Sequence, residues 1–358
     1  MNILYIQSRT SKGGAQHALY RIISMLHNTK FSPALLHSEN GWLNKTLAEN
    51  ISLPLFQVPF PSARSLSSRL GGLKAWAYKT AKILSNSGFR PDIIHANEYF
   101  ETPYALELAK NFPDCRVLTH LRSALMTPRD YRKYRCHHSD MRIFVGKRFA
   151  RSIGAFIQET TEIIPDFLLP TEFYPPRELS SAFPDRILIL GNPHPNKGWD
   201  LAVEGFRFFH DDYPGIFREL HFTGRPSAKR ETELLALRGS AHFRLVFHDK
   251  VPDLGQFSQK FELAVSPSLH ESFGLANLEV LAAGVPLICS DRGEIPLLMD
   301  ERWMFEPDAK KLYHHLVKNF HLWNDTSKDF DKISQIFREK FSAENSMNQL
   351  YRLYERLI

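Results

Sequence analysis

The chain has 358 residues, which is enough for two domains of about 150 to 200 residues each. A composition with 43% hydrophobic and 23% charged residues is that of a folded globular protein and excludes disordered and fibrous classes. The net charge of +6 is unevenly divided, because residues 1–170 carry 22 Lys and Arg against 12 Asp and Glu, whereas the remainder carries 23 against 27. This asymmetry suggests that the first half faces an anionic surface or substrate.

The chain begins with an apolar run that is too short for the core of a signal peptide, so Met1 to Ile6 is interpreted as a first strand. Longer apolar runs are interrupted by charged residues, glycine or proline, and no window of about 20 apolar residues could span a membrane. Cys115, Cys136 and Cys289 lie far apart without metal-type spacing, which is typical of a reducing compartment. We therefore expect a cytoplasmic protein.

Short runs rich in Ile, Leu and Val alternate with longer segments of helical periodicity, which is typical of parallel βαβ units. In the first half the predicted strands are Ile3–Gln7, Ala34–His37, Ile93–Ala96, Arg116–His120, Arg142–Val145 and Glu162–Ile164. In the second half they are Arg186–Leu190, Glu219–Thr223, Arg244–His248, Leu263–Pro267 and Val285–Cys289. The sequence thus predicts an α/β fold with two doubly wound, Rossmann-like sheets.

The predicted domains meet at a segment rich in proline and serine, residues 171–184, which is interpreted as a linker. The first domain then covers residues 1–170 and the second residues 185–328. Residues 329–358 have leucines at helical spacing and are expected to form a helical crossover that packs back across the domains.

The stretch from Ser266 to Glu279 carries the most chemical information. A predicted strand ends at Pro267, and a helix begins near Leu275. In a doubly wound sheet this junction lines the ligand crevice, so the amides around Phe273, Gly274 and Leu275 are expected to face an anion at the helix N-terminus. Glu271 would meet sugar hydroxyls, and Glu279 could accept hydrogen bonds from a ribose diol.

Two other interpretations of these glutamates are a loop carboxylate beside a solvated helix face, and the catalytic carboxylate pair of a glycosidase. Eight helical residues span about 12 Å, beyond the roughly 5 to 9.5 Å that such pairs require. Glu271 and Glu279 are therefore interpreted as binding residues, not as an acid and a nucleophile.

Together with Pro267-Ser268 before it and Ala282-Ala283-Gly284-Val285-Pro286 after it, this stretch resembles the signature of retaining GT-B glycosyltransferases of family 4, two glutamates separated by seven residues. Further matches follow in order, at Gly13-Gly14, Asp92 to His95, Thr119-His120, Ile163 to Asp166 and Lys197-Gly198. The resemblance implies two Rossmann-like domains with an interdomain cleft, an acceptor-side domain first and a nucleotide-sugar donor domain second.

The resemblance also suggests roles for single residues. Gly13 and Gly14, which alone would only indicate a turn, would let backbone amides approach a donor phosphate or the acceptor. Lys197, otherwise a solvated lysine, would bind phosphate. His120 resembles the family's histidine near the transferring sugar, with a positioning role, whereas His95 is equally consistent with an ordinary loop histidine.

One departure from the family pattern concerns the charge that stabilises the leaving diphosphate. The family usually has arginine directly after the glycine that ends the second domain's first strand, and this chain has Asn192 after Gly191. Arg225, at another predicted strand end, is the candidate for compensation, although it could also be a surface turn residue.

The implied reaction is metal-independent, hexosyltransferase-like transfer with retention, in which Glu271, Lys197 and His120 act at the reacting centre and the departing phosphate helps to deprotonate the acceptor hydroxyl. We expect no cofactor besides the nucleotide-diphosphate sugar substrate, and no metal, because the histidines show no metal-ligand constellation. The acceptor would be a saccharide or lipid-linked saccharide of bacterial lipopolysaccharide or surface-polysaccharide assembly. A GT-B epimerase or phosphorylase and a non-catalytic nucleotide-sugar-binding protein are the alternatives.

Basic residues cluster in the first half, which suggests adsorption to an anionic membrane surface or capture of a phosphorylated acceptor, with a solvated face as the alternative. Nucleic acid is not expected, because no recognition motif accompanies the charge. The cluster consists of Arg64, Arg69, Lys74, Lys79 and Lys82 around Trp76 and Tyr78, and of Arg122, Arg129, Arg132, Lys133, Arg135, Arg142, Lys147, Arg148 and Arg151. On this interpretation the protein can lie peripherally on the inner face of a membrane.

Overall fold

The computed structural model describes residues 1–62, 71–154, 160–175, 180, 182–249 and 251–358, without the side chains of residues 324–331. The predicted basic residues Arg64 and Arg69, and residues 176–179 and 181 of the predicted linker, lie outside the described residues. The chain forms two compact units. Unit 1 comprises Met1–Phe167 and Ala343–Ile358, and unit 2 comprises Leu168–Ser342.

Each unit is built on one parallel β-sheet. In unit 1 the strands are β1 (Asn2–Ile6), β2 (Ser32–His37), β3 (Leu55–Gln57), β4 (Ile93–Ala96), β5 (Arg116–Leu121), β6 (Met141–Phe144) and β7 (Thr161–Ile163). In unit 2 they are β8 (Arg186–Ile189), β9 (Glu219–Phe222), β10 (Arg244–Phe247), β11 (Leu263–Ser266), β12 (Leu287–Ser290) and β13 (Met304–Phe305).

Helices follow most of the strands. Those of unit 1 are α1 (Gly14–Leu26), α2 (Trp42–Asn50), α3 (Leu73–Asn86), α4 (Thr102–Ala109), α5 (Pro128–Lys133), α6 (Lys147–Ile153) and the last helix of the chain, α13 (Ala343–Leu357). Those of unit 2 are α7 (Trp199–Asp212), α8 (Ala228–Arg238), α9 (Leu254–Ser258), α10 (Leu275–Ala282), α11 (Ala309–His321) and α12 (Trp323–Lys340).

The two sheets have the same winding. Their strand orders are β3-β2-β1-β4-β5-β6-β7 in unit 1 and β10-β9-β8-β11-β12-β13 in unit 2. The order reverses beside β1 in the first sheet and beside β8 in the second, which is the topological switch point where ligands bind in such folds. The prediction of two doubly wound α/β sheets is confirmed.

The central strands are buried on both faces, as parallel sheets require when helices cover them. Residues 3–6 of β1 and 263–265 of β11 are fully buried. Two short strands, β3 and β13, with three and two residues, were not identified from the sequence. Both lie at a sheet edge, where burial constrains the sequence least.

The units divide the chain differently from the predicted domains. The first boundary falls between Phe167 and Leu168, before the predicted linker, and the second between Ser342 and Ala343. The predicted terminal helix is two helices, of which α12 belongs to unit 2 and α13 to unit 1. Within the described ranges, no helix is long and apolar enough to cross a membrane.

Candidate functional site

The carboxyl end of β8 leads into a loop whose path depends on two glycines. Gly191 has a φ of +109°, and a Cβ there would lie 2.9 Å from the Cβ of Lys197. Gly198 has a φ of +65°, and a Cβ there would lie 2.0 Å from the carbonyl oxygen of Pro267. These left-handed conformations, which favour glycine, hold the Lys197 loop tightly against the chain that leaves β11.

This packing brings together two of the residues predicted to act at the reacting centre. Lys197 Nζ donates a hydrogen bond to Glu271 Oε2 at 2.7 Å. Their side chains retain 23% and 19% exposure, so both charges can be reached from solvent. Leu269, two residues before Glu271, donates its backbone N–H to the Asn196 carbonyl at 2.8 Å and fixes the same two loops to each other.

Gly274 starts α10 with a φ of +104°, a conformation that an L side chain rarely adopts. The first i→i−4 bond of the helix runs from the Leu278 N–H to the Gly274 carbonyl at 3.0 Å. The amides of Leu275 and Ala276 precede that bond, so they lie at the positive end of the helix dipole. The N-terminus of α10 thus has the geometry that anions bind.

Phe273 does not present its ring to a ligand. The side chain is 2% exposed and packs edge-on against Phe341 at 5.3 Å, so only the main chain of Phe273 can contribute to a donor site. Its carbonyl accepts the N–H of Glu294 at 3.0 Å. Gly293, with a φ of +85°, lies so close that a Cβ there would be 3.1 Å from the Cγ of Glu271. The loop that contains Gly293 and Glu294 therefore packs against Glu271 and Phe273. It was not identified from the sequence, although a glycine shortly after a strand indicates a tight turn.

Glu279 is half-buried in the second turn of α10. Its charge helps to raise the pKa of Tyr174, after burial and the hydrogen bond to Asp253, whose carboxylate accepts the Tyr174 hydroxyl. Tyr174 packs over Gly255, where a Cβ would lie 2.6 Å from the ring. The hydrogen bond between Tyr174 and Asp253 was not identified from the sequence.

The two residues connected with the missing arginine take different positions. Asn192 lies in the loop after β8, where its side-chain oxygen accepts a hydrogen bond from the His194 N–H at 3.3 Å. Arg225 follows β9, but its guanidinium pairs with the exposed carboxylate of Asp249 and donates to the Phe247 carbonyl at 3.4 Å. The charge of Arg225 is thus paired with Asp249 in this structure.

In unit 1, Gly13 and Gly14 begin α1 directly after the loop that leaves β1. Gly13 is the N-cap, with an extended φ of −170°, and a Cβ there would meet only the flexible end of Gln16. A Cβ at Gly14 would meet none of the described atoms within 4 Å. Packing within the described protein therefore does not require glycine at position 14.

His95 and His120 are buried members of β4 and β5, at 0% and 2% exposure, not loop residues. Their rings stack at 5.5 Å with an interplanar angle of 17°. His95 Nδ1 lies 2.8 Å from the hydroxyl of Tyr354, which is 2.6 Å from the hydroxyl of Tyr5. Tyr354 of helix α13 thus links His95 and Tyr5 in a row of buried polar side chains.

Arg122 is the main correction to the predicted basic cluster. Its side chain is 4% exposed, donates to Asn97 Oδ1 at 3.2 Å and forms an ion pair with Asp166. Arg122 lies one residue beyond β5 and two residues after His120, whose ring it contacts at 3.0 Å, and this alternate spacing is a signal that could have separated it from the solvent-facing residues. Arg142 is also buried and donates to the Ser139 carbonyl at 3.1 Å.

The remaining described members of the basic cluster, Trp76 aside, lie at the surface. On α3, Lys74, Lys79 and Lys82 flank Tyr78, which is 66% exposed, whereas Trp76 is buried. The second group, around and after α5, comprises the exposed residues Arg129, Arg132, Lys133, Arg135, Lys147, Arg148 and Arg151.

Two carboxylic acids, Glu98 and Glu101, are buried between β4 and α4 at 6% and 0% exposure. Burial raises the pKa of each to about 8, although hydrogen bonds oppose the shift. Glu101 Oε1 accepts the backbone N–H and the hydroxyl of Ser8, both at 2.7 Å. These acids were not identified from the sequence, which shows their positions after a strand but not their burial.

Within the described part of the chain, no group of three or more His, Cys, Asp or Glu side chains could hold a metal ion. The polar and charged residues described above form two sets, one in each unit. Unit 2 has a cation, a carboxylate and a helix N-terminus at the ends of β8 and β11, and unit 1 has a buried polar cluster at the ends of β1, β4 and β5.

Several known proteins are similar to this chain. Residues 184–320 match the model of a family described as Glycosyl transferases group 1. A D-inositol 3-phosphate glycosyltransferase of Acidothermus cellulolyticus is 34% identical over 117 residues, 30% of this chain and 26% of the relative. A mannosylfructose-phosphate synthase of Agrobacterium fabrum is 29% identical over 115 residues, 30% of this chain and 25% of the relative. The matches thus span about a quarter of each curated relative's length.

Solved structures resemble the whole chain. HepE from Anabaena in complex with UDP-glucose superposes with a TM-score of 0.82 at 15% identity, covering 99% of this chain and 100% of the other. A glycosyltransferase from Rickettsia africae gives 0.79 at 16% identity, over 99% and 98%. These likenesses establish the two-domain GT-B fold. Residues 184–320, which lie within unit 2, are thus similar to the glycosyl transferases group 1.

Proposed function

We propose that the protein is a retaining glycosyltransferase that moves a sugar from a nucleotide-diphosphate donor to an acceptor hydroxyl. The observation that carries this proposal is the ion pair of Lys197 and Glu271 at the carboxyl ends of β8 and β11, in the domain that matches the family. Support comes from HepE, whose structure contains UDP-glucose, and from curated relatives named as glycosyltransferases.

The donor would lie across the carboxyl ends of the unit 2 strands. Its diphosphate would meet Lys197 Nζ, which is paired with Glu271, and the first amides of α10 after Gly274, where the helix dipole is positive. Glu279 would accept the ribose hydroxyls, and Glu271 would accept a sugar hydroxyl beside Lys197. Arg225 would add a second cation once it has left Asp249.

In the reaction the bond between the anomeric carbon and the diphosphate oxygen breaks, and the acceptor oxygen bonds to the same carbon on the same face. The nucleotide diphosphate leaves with the bonding electron pair and takes the acceptor's proton. Lys197 acts mainly here, because negative charge on the leaving oxygen grows towards the transition state. No step requires a metal ion or a nucleophilic side chain.

The acceptor would bind in unit 1, and its proposed class is a saccharide or lipid-linked saccharide of bacterial lipopolysaccharide or surface-polysaccharide assembly. Charge supports an anionic partner, because the exposed basic residues of α3 and of the segment around α5 lie in this unit. A TarM structure that contains UDP and saccharide ligands shares the fold at a TM-score of 0.74 and 11% identity. We propose a cytoplasmic protein that lies peripherally on the inner face of the membrane.

A second candidate function is binding of a nucleotide sugar without turnover. It is favoured by Asn192, which cannot supply the family's usual positive charge, and by Arg225, whose charge is engaged by Asp249. The same donor site would then serve recognition alone.

The test has two stages. First, a thermal-shift screen with UDP-, GDP- and ADP-sugars identifies the donor, because a ligand that binds only the folded state raises its apparent stability. Then the selected donor is incubated with a panel of saccharide and lipid-linked acceptors, and the anomeric configuration of the product is determined by NMR. Transfer with retention is the expected result. Donor binding without transfer to any acceptor would favour the second candidate, and conversion of the donor alone to an epimer would indicate an epimerase.

A further inference from the structure

Arg122 occupies the centre of the buried polar cluster in unit 1. It lies one residue beyond β5, and its guanidinium contacts three side chains: Asn97, Asp166 and His120. The carboxylate of Asp166, itself only 11% exposed, balances its charge. Such a buried, multiply bonded guanidinium holds its neighbours in fixed orientations.

The contact with His120 determines the position of the imidazole proton. Arg122 Nη2 lies 3.0 Å from His120 Nδ1. A guanidinium has only donors, so Nδ1 must accept this hydrogen bond and cannot carry a proton. In the neutral ring the proton is therefore on Nε2.

The surroundings keep the ring neutral. Burial lowers the pKa of His120 well below its ordinary value, and the charge of Arg122 and the neighbouring His95 lower it further. The ring of His95 stacks on it from β4, the carboxylate of Asp166 forms an ion pair with Arg122, and Glu98, whose pKa burial raises to about 8, also interacts with Arg122. An imidazolium at His120 would place an N–H donor at Nδ1 against the Arg122 guanidinium, which itself has only donors.

Nε2 of His120 is buried and has no hydrogen-bond partner among the described residues. A buried N–H without an acceptor is costly, so a group from outside the described protein is expected to complete it. We propose that Arg122 is a positioning residue that locks His120 as an Nε2–H donor towards a substrate hydroxyl oxygen, so that His120 cannot act as the base that takes the acceptor's proton. This proposal rests on the proposed function for the identity of the hydroxyl, but not for the position of the proton.

The first test locates that proton directly. In protein with ¹⁵N-labelled histidine, two-bond ¹H–¹⁵N correlations distinguish the tautomers, and the loss of one ring's signals in His120→Gln assigns His120. We expect the Nε2–H pattern without titration near the ordinary pKa of about 6.5. Arg122→Met should convert it to a mixture of tautomers and raise its pKa, whereas Asp166→Asn, which retains the guanidinium, should preserve it. An Nδ1–H ring or an imidazolium in the wild-type protein would overturn the proposal, even if Arg122→Met does not fold.

The second test asks whether His120 acts in the reaction as a hydrogen-bond donor or as a general base. Gln at position 120 can donate from its amide but cannot take a proton, whereas Leu can do neither. We expect His120→Gln to retain kcat/KM within about tenfold and His120→Leu to lose about 10²-fold or more. If both variants lost kcat/KM completely and equally, the result would indicate that His120 does act as the general base, and it would overturn the proposal. Absence of transfer by the wild-type protein would instead contradict the proposed function and leave the spectroscopic result unaffected.

Discussion

Lys197 Nζ lies 2.7 Å from Glu271 Oε2, so one ion pair joins the loops that follow β8 and β11. The pair is partly exposed and contributes only about 0 to 1 kcal/mol to stability. Lys197→Ala should therefore leave the fold intact. We expect it to lower kcat by about 10²- to 10³-fold, because the charge that stabilises the leaving diphosphate is lost, and also to weaken donor binding. Steady-state kinetics with the donor identified by thermal shift measure both effects.

Lys197→Arg is the matched control, because it retains the positive charge with a different geometry. It should recover part of the lost kcat. If Lys197→Ala kept the full kcat and only raised KM, the role of Lys197 in leaving-group stabilisation would be wrong.

Glu279→Gln and Glu279→Ala should weaken nucleotide-sugar binding by about 10- to 100-fold, since a hydrogen bond to a charged group is worth about 1.5 to 3 kcal/mol. Because the ribose does not react, kcat at saturating donor should change little. Calorimetry with the free nucleoside diphosphate is the measurement. Unchanged affinity would show that Glu279 does not bind the ribose.

Treatment with EDTA should leave transfer unaffected, because Lys197 and the N-terminus of α10 provide the positive potential that a divalent ion provides in metal-dependent enzymes. Initial rates before and after chelation, and after addition of Mg²⁺ or Mn²⁺, are compared. Activity that is lost on chelation and restored by either ion would contradict this prediction.

The basic surface around α5 should bind anionic membranes. Each exposed basic residue near such a surface contributes about 1 kcal/mol, so changing Arg129, Arg132, Lys133 and Arg135 to Gln should lower vesicle binding by about 10²- to 10³-fold. Co-sedimentation with vesicles containing phosphatidylserine, at low and at physiological salt, measures it. Nucleotide-sugar affinity should remain unchanged, because the proposed donor site is in unit 2.

A control variant with the same loss of charge is available in unit 2, where four exposed lysines can be changed to Gln. Vesicle binding by this variant should stay near that of the wild type. Equal losses in the two variants would indicate a net-charge effect without a specific surface. The four residues are Lys229, Lys310, Lys311 and Lys332.

Stability should decrease as pH rises from about 4.5 to about 8, through the contributions of Glu98 and Glu101. Their pKa is about 8 in the folded protein and near the ordinary 4.5 when unfolded, so between these values the folded state binds more protons. The contribution is fully present below pH 4.5 and is lost above about pH 8. In Glu101→Gln the amide oxygen can still accept the Ser8 hydrogen bonds, so the difference in Tm from the wild type should grow in favour of the variant between pH 5 and pH 8. A constant difference would contradict the raised pKa.

The sequence predicted the fold well because the strands depend on local signals, and it named Lys197 and Glu271, which the structure brings within hydrogen-bonding distance. Alternating apolar runs predicted eleven of the strands to within two residues at each end, and the Lys197 loop and the α10 N-terminus are defined by neighbouring glycines. The unit 1 site depends on contacts distant in sequence. Nothing near Arg122 indicates that Asp166 will neutralise it, so a buried arginine was assigned to the solvent-facing cluster.

The position of α13 has a consequence for biosynthesis. Tyr354 bonds to His95 across a separation of 259 residues, and its ring packs against Phe31 at 5.6 Å. Because the ribosome releases the chain from its N-terminus, all of unit 2 emerges before these contacts can form. During synthesis, the residues of unit 1 that contact α13 therefore stay uncovered until α13 itself has been made. Removal of α13 would leave every residue of unit 2 in place but would take from unit 1 the helix that carries Tyr354, so the stability of unit 1 should depend on a helix encoded after the whole of unit 2.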